Sequence, residues 1–98
     1  MAERTRYLLA YDIRHPKRLR RVHKVAQDFG APLQYSVFVC DLTAVEFLSL
    51  KGKLLEEVNS GEDSIGIFDL GPPRGRGLEC VEFIGTRRSL PVEGAQVW

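Results

Sequence analysis

The sequence has no long apolar run and only 2 cysteines among its 98 residues. No segment approaches the roughly 20 apolar residues needed to span a bilayer, and the N-terminal charges are not followed by the apolar region of a signal peptide. We therefore expect a cytoplasmic protein with no membrane contact. Cys40 and Cys80 lack the CxxC or Cys/His spacing of a zinc site, so we interpret both as buried thiols and expect no disulfide framework.

A strong net charge is also absent, because the formal value at pH 7 is only +1. The composition, 44% hydrophobic and 28% charged, is typical of a globular domain, and we expect residues 1–98 to form a single one. A domain this small buries only part of its surface, which favours a partner chain. Net charge alone indicates no nucleic-acid partner, but the distribution of charge does.

The cations are concentrated between residues 13 and 27, where no acid occurs. They are Arg14, Lys17, Arg18, Arg20, Arg21 and Lys24. Ordinary exposed helices mix charges of both signs, which allows i,i+4 pairs to form. A basic stripe on one element of a nearly neutral protein indicates a local phosphate site; the alternative is a solvated helix face. The sequence leaves the roles of His15, Arg74 and Arg76 open.

The segment from Arg6 to Ile13 is a short apolar run that contains one carboxylate, Asp12, near its end. Continuous apolar character from Tyr7 to Tyr11 predicts a strand covered on both faces. Asp12 follows where this strand ends, directly before the cations. A carboxylate in that position suits a metal ion bound against a phosphate. The structural alternative is that Asp12 caps the next helix by accepting backbone N–H bonds.

Capping signals and periodicity predict the next elements. Pro16 suits the first turn of a helix that Gly30 ends. Residues 33–42 are rich in β-branched and aromatic types and predict a strand, with room for more than one strand segment. Thr43 and Glu46 form a capping box for a second helix. Its expected inward residues are Val45, Phe47, Leu48, Leu50, Leu54, Leu55 and Val58.

The remaining residues supply two strands, a loop and a tail. Residues 63–70 predict a third strand, residues 71–77 a Pro/Gly loop, and residues 78–84 a half-exposed fourth strand. This order favours an α+β ferredoxin-like sandwich, in which an antiparallel sheet is backed by two helices. The apolar residues of the tail, residues 85–98, lead us to expect an additional strand that is exchanged in a homodimer.

Aromatic side chains within these elements are assigned to the core by default. His23 lies on the apolar stripe of the first helix, which predicts a packed histidine rather than a ligand. Tyr35 and Phe38 fall in the predicted second strand and are expected in the core. A cleft or stacking role is the alternative for Phe38.

Two motifs occur together at a specific spacing: Tyr11-Asp12-Ile13 and, after the cations and Gly30, Gln34-Tyr35-Ser36-Val37-Phe38. With them the chain resembles the small CRISPR-associated nuclease family, the second of the two core proteins of spacer acquisition. The resemblance covers most of the chain. It implies a ferredoxin-like homodimer in antiviral defence, acting as a Mg²⁺-dependent endonuclease of RNA or DNA or as a DNA-binding scaffold for the CRISPR integrase.

The same resemblance implies roles for individual residues. Asp12 corresponds to the catalytic, metal-binding aspartate, and its two copies would face each other across the two-fold axis. Tyr11 would be its aromatic neighbour, and Phe38 would lie near the dimer cleft. Arg18 and Arg21 would face phosphates, and the charge pattern adds Arg14 to them. The chain departs from the family pattern at residues next to the two motifs: Arg14 after Tyr11-Asp12-Ile13, Pro32 and Leu33 before Gln34, and Val39 after Phe38.

Two functions remain open from the residues alone. As an enzyme, the dimer would bind Mg²⁺ between two Asp12 carboxylates, because a single carboxylate is a poor magnesium site. As a scaffold, the same dimer would hold duplex DNA by its backbone. Replacing Asp12 by asparagine distinguishes them, since only the enzyme requires the carboxylate.

Overall fold

The computed structural model describes residues 3–85, in which four strands and three helices follow one another. These elements are β1 (Thr5–Asp12), α1 (Pro16–Phe29), β2 (Ala31–Gln34), β3 (Val37–Leu42), α2 (Ala44–Glu57), β4 (Ser64–Gly71) and α3 (Arg76–Glu79). The predicted exchange of a C-terminal strand concerns a tail that lies, from residue 86 onwards, outside the described residues.

The four strands form one antiparallel sheet in the order β2-β3-β1-β4, so β1 lies between β3 and β4. α1 and α2 contact each other and cover one face of this sheet. The core between them includes Leu9 of β1, Phe38 of β3, Val22 of α1 and Leu50 of α2. The predicted α+β architecture, an antiparallel sheet backed by two helices in ferredoxin-like order, is confirmed.

α1 begins and ends where the sequence predicts, and the structure gives the physical reason for each end. The extended residue His15 caps the helix through Nδ1, which accepts a hydrogen bond from the Lys17 backbone N–H at 3.1 Å. Pro16 occupies the first turn, where a missing N–H costs nothing. At Gly30, an added Cβ would lie 2.3 Å from the Val39 carbonyl oxygen. The chain approaches β3 so closely there that only glycine fits.

The prediction of one strand over residues 33–42 is wrong, and its alternative of more than one segment is confirmed. The chain turns at Tyr35 and Ser36, and β2 pairs antiparallel with β3, with Pro32 opposite Phe38. Most two-residue hairpin turns carry Gly or Asn. This turn carries neither, so composition gave no signal that the chain reverses.

α2 begins at the predicted capping box. The Thr43 hydroxyl accepts from the Glu46 N–H at 3.2 Å, and the Glu46 carboxylate accepts from the Thr43 N–H at 2.8 Å. The predicted inward face is wrong in part, because apolar residues surround most of the helix while the sheet covers only one side. Of the predicted inward residues, Leu50 and Leu54 are buried, Phe47 and Val58 are half-buried, and Val45, Leu48 and Leu55 are exposed.

The predicted strand over residues 78–84 is wrong, because the chain forms the short helix α3 and then irregular structure. The Pro72 carbonyl accepts hydrogen bonds from the backbone N–H groups of Gly75 and Gly77, at 3.1 and 3.0 Å. The fully buried Arg6 guanidinium donates to the Gly77 carbonyl at 3.1 Å. These contacts turn the chain away from the sheet edge, and an alternating pattern cannot reveal them.

The two cysteines differ in environment. Cys40 is buried, as predicted, but the prediction for Cys80 is wrong, because the irregular segment after α3 leaves it half-exposed. Both are free thiols. Within residues 3–85, no helix has the length and apolar character required to cross a membrane.

Candidate active site

Asp12 is the last residue of β1 and pairs with Ser64, the first residue of β4. It is exposed, and within the described part of the chain its carboxylate makes no hydrogen bond or ion pair. The helix-cap alternative is excluded, because His15 is the N-cap of α1. As far as residues 3–85 are concerned, both carboxylate oxygens of Asp12 are therefore open to a cation.

Asp12 lies on the face of the sheet opposite the helices. Side chains alternate along a strand, so Asp12 shares its face with Leu8 and Ala10, while Leu9 and Tyr11 point into the core. Leu8 and Ala10 are only half-buried. The prediction that β1 is covered on both faces is thus confirmed for the helix side alone.

We call the apolar surface on this second side the open face; it comprises Leu8 and Ala10 of β1 and Gly66 and Phe68 of β4. Phe68 pairs with Leu8 and is 53% exposed. Its ring lies across Gly66, where an added Cβ would come within 3.0 Å of a ring carbon. An apolar surface that carries the Phe68 ring therefore lies on the same face of the sheet as Asp12.

Asp12 is the only acid that the strand end contributes, and no group of three His, Cys, Asp or Glu residues within residues 3–85 is close enough to hold a metal ion. Mg²⁺ commonly binds through one or two carboxylates together with phosphate oxygens and waters. Within residues 3–85, Asp12 alone would therefore supply only part of a Mg²⁺ coordination shell, which waters, phosphate oxygens or a second carboxylate would complete.

Arg18 has carboxylate partners within the chain, although the sequence places it among the phosphate-facing cations. Its Nε donates to Asp63 Oδ2 at 2.7 Å and its Nη2 to Glu62 Oε1 at 2.9 Å. The Arg18 side chain is mostly buried by these contacts. Its guanidinium ties α1 to the segment before β4, so its geometry suits a positioning role.

Asp63 is a functional candidate that sequence reasoning missed. Its side chain is 0% exposed, and it accepts hydrogen bonds from the Arg14 and Asn59 backbone N–H groups, both at 2.9 Å. The hydrogen bond from Arg18, with support from the backbone donors, holds the pKa of this carboxyl well below its usual range. Asp63 thereby fixes the chain two residues beyond Asp12. The sequence did contain a sign of this contact. Glu62 and Asp63 are adjacent acids, whereas residues 13–27 carry cations and no acid, and such a separation of charges favours pairing between the two segments.

The other cations of α1, together with Arg14 just before it, face solvent. Arg14, Lys17, Arg20, Arg21 and Lys24 are exposed, and none of them forms an ion pair within residues 3–85. Arg74 and Arg76 lie elsewhere: the segment that carries them packs at Arg6, six residues before Asp12 on β1. At about 3.3 Å per residue, that is roughly 20 Å from Asp12.

The Tyr11 side chain lies on the helix side of the sheet, opposite the face that carries Asp12, so it does not contact the candidate site. Its hydroxyl shares a hydrogen bond of 2.8 Å with His23 Nδ1 on the helix side of the sheet. Burial, with a smaller effect from Tyr35, raises the pKa of the Tyr11 hydroxyl to about 12, so this group stays neutral. The prediction that His23 is a packed histidine is confirmed, because its ring also contacts Phe38 and Tyr35.

The two aromatic residues of the second motif have opposite environments. Phe38 is fully buried, which excludes contact with a nucleic acid or a dimer cleft in this conformation. Tyr35 is 73% exposed, so its assignment to the core is wrong. The unrecognised turn explains the error, because a turn residue leaves the sheet and its core.

Comparison with known proteins then decides the family. Residues 5–74 match the family model described as CRISPR associated protein Cas2. The chain belongs to the Cas2 family. A CRISPR-associated endoribonuclease Cas2 from Geobacter sulfurreducens is 42% identical over 66 residues, which cover 67% of this chain and 70% of the relative. A CRISPR-associated endonuclease Cas2 from Halalkalibacterium halodurans is 34% identical over 91 residues, which cover 88% of this chain and 92% of the relative.

Solved structures agree with this assignment. The crystal structure of Streptococcus pyogenes Cas2 superposes with a TM-score of 0.72 at 35% identity, covering 82% of this chain and 99% of that one. A hypothetical protein from Thermus thermophilus superposes with a TM-score of 0.73 at 24% identity, covering 85% and 93%. At this identity, the similarity to the Thermus thermophilus protein shows a shared fold and nothing more. The Cas2 resemblance predicted from the two motifs is confirmed.

Proposed function

We propose that this Cas2-family chain is a metal-dependent endonuclease that hydrolyses phosphodiester bonds of RNA or DNA during CRISPR spacer acquisition. The observation that carries the proposal is the exposed Asp12 carboxylate, which has no partner among residues 3–85 and precedes a cationic helix. Relatives of the chain are named as endoribonucleases and endonucleases. The cytoplasm is the expected location.

Mg²⁺ is the proposed cofactor, and the chemistry of Asp12 fits it. Carboxylate oxygens are hard donors of the kind Mg²⁺ prefers, and one or two of them are enough when phosphate oxygens and waters complete the octahedron. When bound, the ion would supply polarisation of the phosphoryl group and activation of water. Asp12 would hold it at a fixed point, because β1 is paired with strands on both sides.

We propose that two chains pair through the open face, which would bring two Asp12 carboxylates together. The support is the half-buried state of Leu8 and Ala10 and the 53% exposure of the Phe68 ring. An apolar surface of this kind on a soluble protein favours an interface. The apolar residues within 85–98 support the further expectation that this tail adds a strand to the partner's sheet edge.

Replacing Phe68 by arginine should separate the dimer. A charge at the centre of an apolar interface loses hydration without gaining a partner, and loss of a central aromatic anchor costs about 2 kcal/mol or more. We expect the dimer dissociation constant, measured by analytical ultracentrifugation, to rise at least about 30-fold. Leu55→Arg is the matched control, because Leu55 is 72% exposed and belongs to α2 on the opposite side of the sheet. Equal dissociation constants for the two variants would contradict the proposed interface.

The proposed nucleic-acid contacts are the exposed cations Arg14 and Arg21. Arg14 lies two residues before α1 and Arg21 lies within it, and, unlike that of Arg18, neither guanidinium has a carboxylate partner within the described residues. We propose that Arg18 positions α1 through Asp63 and that Arg14 and Arg21 bind phosphates. Contacts of this type fix the nucleic acid without reading its sequence.

The double variant Arg14→Ala/Arg21→Ala should weaken binding of all duplex sequences alike. Each lost phosphate contact lowers the slope of log K against log salt by about 0.9, so the expected total is roughly 1.8. Fluorescence anisotropy across a salt series measures this slope. The control is Lys51→Ala/Lys53→Ala, which removes the same charge from α2 and should leave the slope unchanged. If the slope were unchanged in Arg14→Ala/Arg21→Ala, these cations would be only part of a solvated helix face and would not bind phosphates.

A second candidate function is a non-catalytic DNA-binding scaffold for the CRISPR integrase. The observation that favours it is the row of exposed cations just before and along α1, which can bind a nucleic-acid backbone without metal chemistry. A scaffold needs the same dimer and the same cations but no metal chemistry.

One preparation of the wild-type protein can decide between these functions. Labelled RNA, single-stranded DNA and duplex DNA would be incubated with it in Mg²⁺ and in chelator, and binding would be measured on the same substrates. Cleavage that requires Mg²⁺ supports the endonuclease. Binding without cleavage of any substrate supports the scaffold, and absence of both contradicts the two proposals together.

A further inference from the structure

Tyr35 and His23 form a stack of rings at the surface of the molecule. Tyr35 lies in the turn between β2 and β3 and is 73% exposed. Its ring stacks on His23 of α1 with a centroid distance of 5.9 Å and an interplanar angle of 24°. The Tyr11 N–H donates to the Ser36 carbonyl at 3.1 Å, which fixes the turn beside the end of β1.

The imidazole of His23 is itself held from two sides. Its Nδ1 lies 2.8 Å from the Tyr11 hydroxyl, and its ring meets Phe38 edge-on with a centroid distance of 5.3 Å. Tyr11 and Phe38 both belong to the buried core. One face of the Tyr35 ring therefore rests on a packed support, while the high exposure of Tyr35 leaves the other face to solvent.

Two cationic residues are neighbours of His23 along α1. Arg20 precedes His23 by about one turn, and Lys24 follows it directly. Both are exposed and neither forms an ion pair within residues 3–85. An aromatic face beside unpaired cations is the arrangement with which proteins hold single-stranded nucleic acid, since the ring stacks on a base while the cations bind the backbone.

We infer that Tyr35 is a stacking site for an unpaired nucleobase, with Arg20 and Lys24 on the phosphates of the same strand. Bases within a duplex have both faces covered by their neighbours, so the ligand is a single-stranded segment, an overhang or an opened end. The inference rests on the proposed nucleic-acid-binding function and extends it, because the phosphate contacts alone do not distinguish single from double strands.

The position of Tyr35 argues against a role in the proposed dimer. Its ring stacks on α1, which covers the side of the sheet opposite the open face. A core role is excluded by its exposure. A rigidly supported aromatic face at this position is suited to stacking on a ligand.

The experiment compares Tyr35→Ala and Tyr35→Phe with the wild-type protein, using three probes: oligothymidine, oligouridine and a blunt DNA duplex. Loss of base stacking costs roughly fivefold or more in affinity per base. We expect Tyr35→Ala to lose at least about fivefold on the single strands and nothing on the duplex, and Tyr35→Phe to retain the wild-type affinities. Leu48→Ala, which removes an exposed apolar side chain from α2, is the control for nonspecific effects.

A direct readout accompanies the affinities. Oligonucleotides containing 5-iodouracil should cross-link to Tyr35 under ultraviolet light, and mass spectrometry would locate the linked residue. Unchanged single-strand affinity in Tyr35→Ala, while the wild-type protein binds, would overturn the inference and leave the proposed function standing. Dissociation of the dimer in Tyr35→Ala would reassign the residue to an interface. Failure of the wild-type protein to bind any probe would remove the inference together with the proposed function.

Discussion

Asp12→Asn should abolish Mg²⁺-dependent cleavage while leaving the fold and nucleic-acid binding intact. Asparagine has the shape of aspartate, and the native side chain has no hydrogen-bond partner among residues 3–85 to lose. The neutral amide is a weaker donor to Mg²⁺ than the carboxylate it replaces, and it removes the protein's negative charge from the metal site. Changes in groups that only support a metal ligand cost about 10- to 100-fold, so loss of the ligand itself should cost more. The wild-type and variant rates would be compared at equal protein concentration.

The control for this experiment is Asp69→Asn. Asp69 is an exposed aspartate of β4, located opposite Tyr7 and thus far from Asp12 along β1. Within the described part of the chain, its carboxylate accepts only a local hydrogen bond, from the Gly71 N–H at 2.7 Å. This variant should cleave like the wild-type protein. If Asp12→Asn also cleaved at the wild-type rate, Asp12 would have no catalytic role.

The second large effect should come from Asp63→Asn, which should lower the thermal unfolding midpoint by several degrees. The asparagine amide carries hydrogens where the native carboxylate accepts from Arg18 and the Asn59 backbone. Among the described residues, Arg18 would then keep only Glu62 as an ionic partner. Because each Asp63 oxygen accepts two hydrogen bonds, the amide nitrogen of asparagine would face two donors in either orientation. Breaking a buried charge network is among the established causes of strong destabilisation.

The destabilisation should depend on pH in a defined direction. The Asp63 pKa is lowered in the folded state, chiefly by Arg18, whereas an unfolded aspartate titrates near about 3.9. The stabilisation is therefore complete above about pH 5 and is lost progressively as pH falls below about 4. Unfolding curves at pH 7 and pH 3 should show a large difference between the wild-type protein and Asp63→Asn at pH 7 and a smaller difference at pH 3.

Glu62→Gln is the matched control, because Glu62 contacts the same guanidinium but its side chain is 58% exposed. Exposed ion pairs contribute little to stability. A variant at Glu62 should thus unfold close to the wild-type midpoint. Equal destabilisation by the two substitutions, or a difference at Asp63 that grows on acidification, would contradict the role assigned to Asp63.

Local signals in the sequence were enough for the parts of the fold that local chemistry determines. Pro16 and Gly30 mark the ends of α1, and the capping box of Thr43 and Glu46 begins α2. Asp12 could be proposed as a metal ligand from the sequence, because a predicted strand stops there at a carboxylate, just before a run of cations. These features depend on residues within a few positions of one another.

The failures all involve contacts between distant parts of the chain. The turn at Tyr35 has no turn-forming residue, so its position follows from the pairing of β2 with β3. The helix α3 is fixed by Arg6, whose guanidinium reaches Gly77 across 71 residues of sequence. The partnership of Arg18 and Asp63 joins residues separated by 45 positions. Composition places these groups in the chain but does not pair them.

The pairing of Arg18 has a further consequence for association kinetics. Because Asp63 and Glu62 neutralise Arg18, the field around α1 arises from the cations that face solvent, such as Arg14, Arg20 and Lys24. Their charges act over about 10 Å at 0.1 M salt, before any contact is made. A polyanion approaching the molecule is therefore drawn first to this helix and is oriented along it, although the whole protein is nearly neutral. The field of α1 therefore guides the first encounter with a polyanion, which reaches the end of β1 at Asp12 afterwards.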